Sequence, residues 1–324
     1  MKKINKILIV LIVLFPMLLK AQQEPYNTMF AFNKLPINPG YTGGKDVLSI
    51  RGVYRHQWAN LPGNPQTVNL NIHSPLKKLN TVALGGSIIN DRLGATNMTH
   101  LNATFAYRLP FKNDTKLSFG ISAGMMIFNS KITELDVVDM GDPLLQQNLK
   151  GVRPNIGAGV YYYGSKFYVG LSIPNLIPVG LFDKKDAISQ NTRLQQLTSI
   201  VLTGGYTFEI GKKKNFWIQP QLMFKYMPNK TYELPLEVDA NIVFTLYKIV
   251  GLGITYRTGI TSPVQNRESI DAMAIFYLPK NITIGYAYDQ TISKVKAYNR
   301  GTHEILLGYD LDWKKKGIRS PRFF

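Results

Sequence analysis

Four histidines, His56, His73, His100 and His303, are the residues of this sequence best suited to acid–base or metal chemistry, and their spacing argues against both. None has a second histidine three or four residues on, so no zinc-binding helix motif is formed. Thiolate ligands are absent because the chain has no cysteine, which also removes disulfides and a lipid-modified N-terminal cysteine. Acidic residues cluster at Glu134, Asp136, Asp139 and Asp142, and again at Asp183 and Asp186, but their spacing fits no calcium loop. They read as solvated loop charge. A hydrolase needs a Ser-His or Asp-His grouping, and no local motif is read as supporting one; no P-loop occurs either. His73 and His303 fall in strand-like stretches, where a hydrogen bond in the lumen or at its rim is the expected role. Catalytic residues: none; metal: none; cofactor: none. The expected class is non-enzymatic.

The elements that would position any site are strands. In Leu117-Ser-Phe119-Gly-Ile121-Ser-Ala123-Gly-Met125 every odd position is apolar and every even one is Ser or Gly. The same period of two runs through Val68–Ile72, Leu101–Tyr107, Phe167–Ile173 and Ile282–Tyr288. Soluble sandwiches alternate too, but three features favour a membrane barrel. The strands are long enough to cross a bilayer at a tilt. Many of the 18 tyrosines and 16 phenylalanines sit near strand ends, as interfacial girdles require. Small residues such as Gly85, Gly120, Gly124, Gly157, Gly159, Gly170 and Gly285 fall opposite the apolar face, which suits an inward wall that bends as it closes.

Fourteen strands are expected, at 46–57, 66–74, 81–90, 97–109, 115–128, 153–163, 166–173, 197–210, 215–226, 232–246, 249–261, 269–278, 281–289 and 301–312. The fold class is therefore all-β, a transmembrane antiparallel β-barrel of about 14 strands, with both termini expected in the periplasm. Ahead of it, Lys2, Lys3 and Lys6 precede an apolar run from Ile7 to Leu19, with Ala21 before Gln22. This is a signal-peptide layout, too short for a spanning helix. The expected organisation is a signal peptide at 1–21, a periplasmic N-terminal segment at 22–45, the barrel at 46–313 and a basic periplasmic tail at 314–324.

Connections divide into two kinds. Those after even-numbered strands are short and each carries lysine, at Lys77-Lys78, Lys112, Lys166, Lys212 to Lys214, Lys248 and Lys280. Those after odd-numbered strands are longer, notably 129–152, 174–196 and 290–300. Short turns on the periplasmic side and long loops outside are the rule for such barrels. The net charge of +18 includes four lysines of the signal, and much of the rest sits in these turns, along lipid headgroups or facing an acidic periplasmic partner, with no need of nucleic acid. Tyr54, Arg55, Gln57 and Trp58 lead into the first outer loop, where Trp and Arg are favoured contact residues. Leu176, Ile177 and Phe182 lie in the apolar, proline-punctuated 174–196 loop, a candidate plug, lid or docking surface. Lys314, Lys315, Lys316, Arg322, Phe323 and Phe324 form the tail, a candidate contact for a periplasmic partner.

Several stretches in order carry a family likeness: Asn38-Pro-Gly-Tyr41-Thr-Gly43, Tyr54-Arg-His-Gln-Trp58, Pro62 to Thr67, Asp91-Arg-Leu-Gly94, Gly301-Thr-His-Glu-Ile305 and Ser320 to Phe324. Together they resemble the PorP/SprF family of Bacteroidetes type IX secretion and gliding-motility membrane proteins, over nearly all of the chain after the signal. Gly40 and Thr42 stand where the family often has Ala, and Ser320 where Cys is frequent. The resemblance implies an outer-membrane barrel of a Gram-negative-type cell that helps secrete or attach a large surface adhesin. That adhesin carries a C-terminal sorting domain, and periplasmic components of the secretion machinery are the second class of partner. The rival expectation is a porin-like or small-solute channel, and the discriminator is whether the lumen is open or blocked.

Overall fold

A computed structural model describes residues 27–131, 133, 148–177, 179–180, 195–196, 198–212, 215–228, 236–260, 269–292 and 300–311. Its strands are β1 Leu48–His56, β2 Gln66–Pro75, β3 Val82–Leu93, β4 Thr96–Pro110, β5 Lys116–Ser130, β6 Leu149–Tyr163 and β7 Phe167–Ile173. β8 runs as Ile200–Tyr206 and resumes as Phe208–Ile210, interrupted at Thr207. Then come β9 Phe216–Tyr226, β10 Glu237–Leu246, β11 Val250–Gly259, β12 Ser269–Leu278, β13 Ile282–Thr291 and β14 Thr302–Leu311. Each pairs antiparallel with its sequence neighbours, and β1 pairs with β14 from Leu48↔Leu311 to His56↔His303. The sheet is thus a closed barrel of 14 strands, with no free edge left to pair with another chain.

Every expected strand is present, with shifted ends. β3 and β4 extend past the expected 90 and start before the expected 97, because Gly94 (φ 54°) allows a two-residue turn. Three turns at the short-turn end are built from left-handed pairs. Asn113-Asp114, Tyr247-Lys248 and Lys280-Asn281 all have φ between 51° and 62°, the type I′ geometry that matches the twist of a hairpin.

Alternation sets the two faces. Along β2, Val68, Leu70 and Ile72 are 50%, 49% and 45% exposed, while Asn69, Asn71 and His73 are each 2% exposed. Apolar side chains face outward and polar ones inward, the reverse of a soluble core and the arrangement a bilayer demands.

The lumen is occupied. Residues 22–45 are expected from sequence to be a periplasmic lead-in, but the described part, from Asn27 to the start of β1, runs inside the barrel. It turns twice in short 3-10 segments, Phe30–Phe32 and Pro39–Tyr41. The physical reason is composition. Met29 to Gly44 holds a single charge, Lys34, and is otherwise made of apolar, Pro and Gly residues with Asn33, Asn38 and Thr42, so burial is cheaper than solvation. Met29 packs with Val53, Val243, Met273, Ile275 and Leu306; Phe30 packs with Val201 and Met223. Leu35 and Tyr41 join Tyr161, Tyr163 and Tyr168. Each fully buried side chain of this size is worth about 1.5–3 kcal/mol.

Candidate functional site in the barrel lumen

Where the odd strands end, the lumen wall changes character around its circumference. Six neighbouring strands, β10 to β14 and β1, each place a charge one or two residues inside this long-loop end: Asp239, Arg257, Asp271, Asp289, Glu304 and Arg55. Arg257 grips Asp239 with two bonds of 2.8 and 3.0 Å and lies 3.7 Å from Asp289. Arg55 bridges Asp289 at 2.9 Å and Glu304 at 3.0 Å. Glu304 in turn accepts the backbone N–H groups of Thr28 and Met29 at 2.8 and 2.9 Å, and Arg55 donates to Thr28 Oγ1. The N-terminal segment is therefore latched to this arc through charge-assisted bonds. Four carboxylates face two arginines in the arc, and Asp271 stands opposite Asp289 in the ladder.

A second charged layer holds the segment at the short-turn end. Asp46 takes Arg108 at 2.7 Å and Lys116 at 2.6 Å, while Arg108 also donates to Gly43 O. Gly43 N donates to His73 Nδ1 at 3.0 Å. Asp310 binds Arg51 and Lys45. Lys45, ahead of the first strand, is lowered to about 8 by burial and by the Arg51 charge, against the pull of Asp310. Lys34 sits 4.2 Å over the Tyr168 ring; burial, then the charge of Lys45, holds it well below lysine's ordinary value.

Apart from Arg108 and Lys116 in that layer and the apolar and aromatic contacts already described, strands β2 to β9 meet the same segment with amides, hydroxyls and bare backbone. Asn38 donates to Val160 O, Ser172 donates to Ile37 O, and Thr42 donates to Thr104 Oγ1. The turn at Pro39-Gly40 lies so close to Gly120, and Asn38 so close to Gly159, that a Cβ at either position would collide with it. Inward glycines are expected from sequence to serve sheet bending; at these two positions they clear the path of the buried segment. Beside the segment a cavity of about 150 Å³ remains. Its floor is Phe30, Leu35 and Ile37, and its wall includes Asn69, Asn102, Asn155 and Ser199. The lining positions lie towards the long-loop ends of their strands, and Pro174-Asn175 stands at its rim.

The residues singled out in the sequence do not form one patch. Tyr54 faces outward, whereas Arg55 is 2% exposed and engaged with the segment instead of an outer loop. Gln57 and Trp58 lie at the long-loop end: Gln57 N donates to Pro65 O, and Trp58 N to Thr302 Oγ1. Leu176 and Ile177 are exposed there too, but beyond β7, six strands around the barrel from β1. Phe182, Lys314, Lys315, Lys316, Arg322, Phe323 and Phe324 lie outside the described residues, as do Asp136, Asp139, Asp142, Asp183 and Asp186. His73 faces the lumen and accepts a hydrogen bond, as expected; Nδ1 of His303 shares one with Tyr286 Oη.

One motif escapes the sequence reading. Gly120-Ile-Ser122-Ala-Gly124 has the G-x-S-x-G spacing, but it lies inside β5, not on the sharp strand-to-helix turn that exposes a nucleophile. Ser122 pairs across with Thr104 while His100 pairs with Met126, so the two lie about 13 Å apart along the sheet. Among the described residues no three His, Asp or Glu side chains are grouped to hold a metal ion. The arc from Asp239 to Arg55 and the lumen-filling segment are the features sequence reasoning missed. A signal for each was present: charges recurring at the same depth in successive strands, and a low-charge stretch too apolar for a solvated lead-in.

Comparison with known proteins adds the family and the fold. The model of the type IX secretion system membrane protein PorP/SprF matches residues 19–309. A search of the curated proteins finds no match. Among solved structures, the CymD monoaromatic hydrocarbon channel is similar with a TM-score of 0.53 at 10% identity, over 86% of this chain and 91% of that one. Omp33 of Acinetobacter baumannii gives 0.48 at 8% identity, over 83% of this chain and 100% of that one. A Pseudomonas aeruginosa FadL homologue gives 0.47 at 10% identity, over 89% and 95%. At such identities the likeness is one of fold.

Proposed function

This chain belongs to the PorP/SprF family of type IX secretion system membrane proteins, and on that premise we propose that it captures a secreted adhesin at its long-loop end and secretion machinery at its short-turn end, without covalent chemistry. It is an outer-membrane barrel. In this reading residues 1–21 direct export, the long loops face outside, and the lysine-bearing turns face the periplasm. The adhesin carries a C-terminal sorting domain and meets the 174–196 loop and the rim near Trp58. Periplasmic components of the machinery meet the lysine turns and the tail with Lys314 to Lys316, Arg322, Phe323 and Phe324.

The observation that carries this reading is the filled lumen. A channel needs a continuous path, whereas here Met29, Phe30, Leu35 and Tyr41 are packed into three separate sectors of the wall. A barrel closed in this way offers surfaces, not a pore. The test is a pull-down of the detergent-extracted protein from its native cells with mass spectrometry of what accompanies it. Recovery of a large protein with a C-terminal sorting domain, lost when 174–196 is replaced, is the expected result. No partner, together with steady conductance of the unaltered protein in a planar bilayer, would establish the channel reading instead.

A further inference from the structure

The lumen segment does not fill the barrel completely, and the space left over is chemically specific. The cavity of about 150 Å³ lies at the long-loop end, on the side of β2 to β9. It is too small for a typical drug-sized ligand pocket, yet a cavity of about this volume accommodates a benzene-sized group. Its floor is apolar, because Phe30, Val201 and Met223 form a buried cluster with Ile37 against it. Its wall is amide and hydroxyl. Asn155 donates to Asn102 Oδ1 at 3.1 Å. Among the described residues, that leaves Asn155 Oδ1 without a hydrogen-bond partner, and Ser199 Oγ is also without one. Both residues are at least nine-tenths buried, at 4% and 1% exposure. Buried polar atoms of this kind each represent a cost of about 1–3 kcal/mol until something bonds them.

We propose that this cavity is an anchor pocket for an extended polypeptide. One apolar side chain enters onto Phe30, Val201 and Met223, and its main-chain amide bonds Asn155 and Ser199. The inference rests on the long-loop end being the partner-facing end, and it supplies the chemistry by which that end grips its partner. A peptide suits both surfaces at once, since each residue carries an apolar group beside one donor and one acceptor. A charged ligand does not, because the acid-rich arc lies on the other side of the lumen and, among the described residues, the lining is mainly amide, hydroxyl and apolar, with Lys225 at its edge. Phe30 and Ile37 of the N-terminal segment form part of the floor, so the segment that closes the pore also completes the binding site.

The test uses the full chain in detergent micelles with N-acetyl-leucinamide as the probe, followed by saturation-transfer NMR. Asn155→Leu removes the acceptor at similar volume, and Val201→Phe fills the floor. Heat-modifiable migration on gels checks that each variant is a folded barrel. Saturable binding that weakens at least tenfold in Asn155→Leu and vanishes in Val201→Phe supports the pocket. Absence of binding, equal binding by both variants, or displacement of the probe by N-acetylglucosamine as effectively as by a second peptide amide overturns it. The last outcome would make the cavity a saccharide site. Failure here with partner recovery intact in the pull-down would leave the anchoring role standing and remove only the pocket. Probe binding with no partner recovered would do the reverse.

Discussion

Beyond the short-turn layer, where Arg108 and Lys116 hold Asp46, the lumen wall on the side of β10 to β14 and β1 meets the N-terminal segment with formal charge; on the side of β2 to β9 it meets it with amides, hydroxyls, glycines and apolar or aromatic side chains. The first arc binds at few points and strongly. Glu304 takes two consecutive backbone N–H groups, and Arg55 ties that carboxylate to Asp289. The second binds at many weak points and by shape, with Gly120 and Gly159 letting the Asn38–Tyr41 turn lie against the wall. A buried charge is costly unless paired, so the first arc works only while every partner is present. Neutral amides carry no such penalty and leave room for a cavity. The difference assigns retention of the segment to one arc and recognition to the other.

The largest effect should come from breaking the latch. Arg55→Met leaves Glu304 and Asp289 buried without their shared cation, and loss of one member of a buried pair costs about 3–5 kcal/mol. The segment should release, seen as conductance in a planar bilayer and as rapid hydrogen exchange at the Thr28 and Met29 amides. A closed, protected variant would mean that the amide arc alone suffices and would dissolve the contrast.

Next in size is Gly120→Val. Valine suits a strand, so the barrel should assemble, but its side chain would occupy the space of Pro39 and Gly40. Overpacking of this kind costs about 1–3 kcal/mol, occasionally more. Exchange should accelerate at Gly40, Tyr41 and Thr42 while Thr28 and Met29 stay protected. If both groups open together, the two arcs act as one unit.

These two variants also mark what the sequence could reveal. Strand number, strand order and the lysine turns follow from alternation and loop length, because a period of two is a local property of each strand. The lumen contents do not. Glu304 reaches Thr28 across 276 positions, and Arg55 looks like a loop-side contact until the inward face of β1 is known. Asn155 and Ser199 are ordinary polar residues in a strand pattern, and only barrel closure brings them beside Phe30. The low charge from Met29 to Gly44 was a legible sign of burial, but nothing local says which wall receives it.

A smaller effect of opposite sign is expected within the charged arc. Asp271 stands opposite Asp289, so Asp271→Asn removes a like-charge cross-strand pair and should raise resistance to unfolding by up to about 1 kcal/mol. Urea titration in detergent, followed by tryptophan fluorescence, would measure it. Loss of stability would show that the Asp271 charge is needed to balance Arg257 and Arg55.

The smallest effect belongs to the amide arc. Asn102→Leu removes the acceptor for Asn155, a neutral hydrogen bond worth about 1 kcal/mol, and places an apolar group against an already apolar floor. Urea resistance should fall by no more than that, and the segment should stay protected from exchange, in contrast to Arg55→Met. What should change is the cavity: with Asn155 freed from Asn102, its amide can turn and the pocket loses its fixed donor–acceptor order. N-acetyl-leucinamide binding should therefore weaken while the lumen stays closed. A single substitution that lowers recognition without opening the pore would separate the two arcs by function as well as by chemistry, whereas conductance from Asn102→Leu would show that the amides retain the segment as much as the charges do.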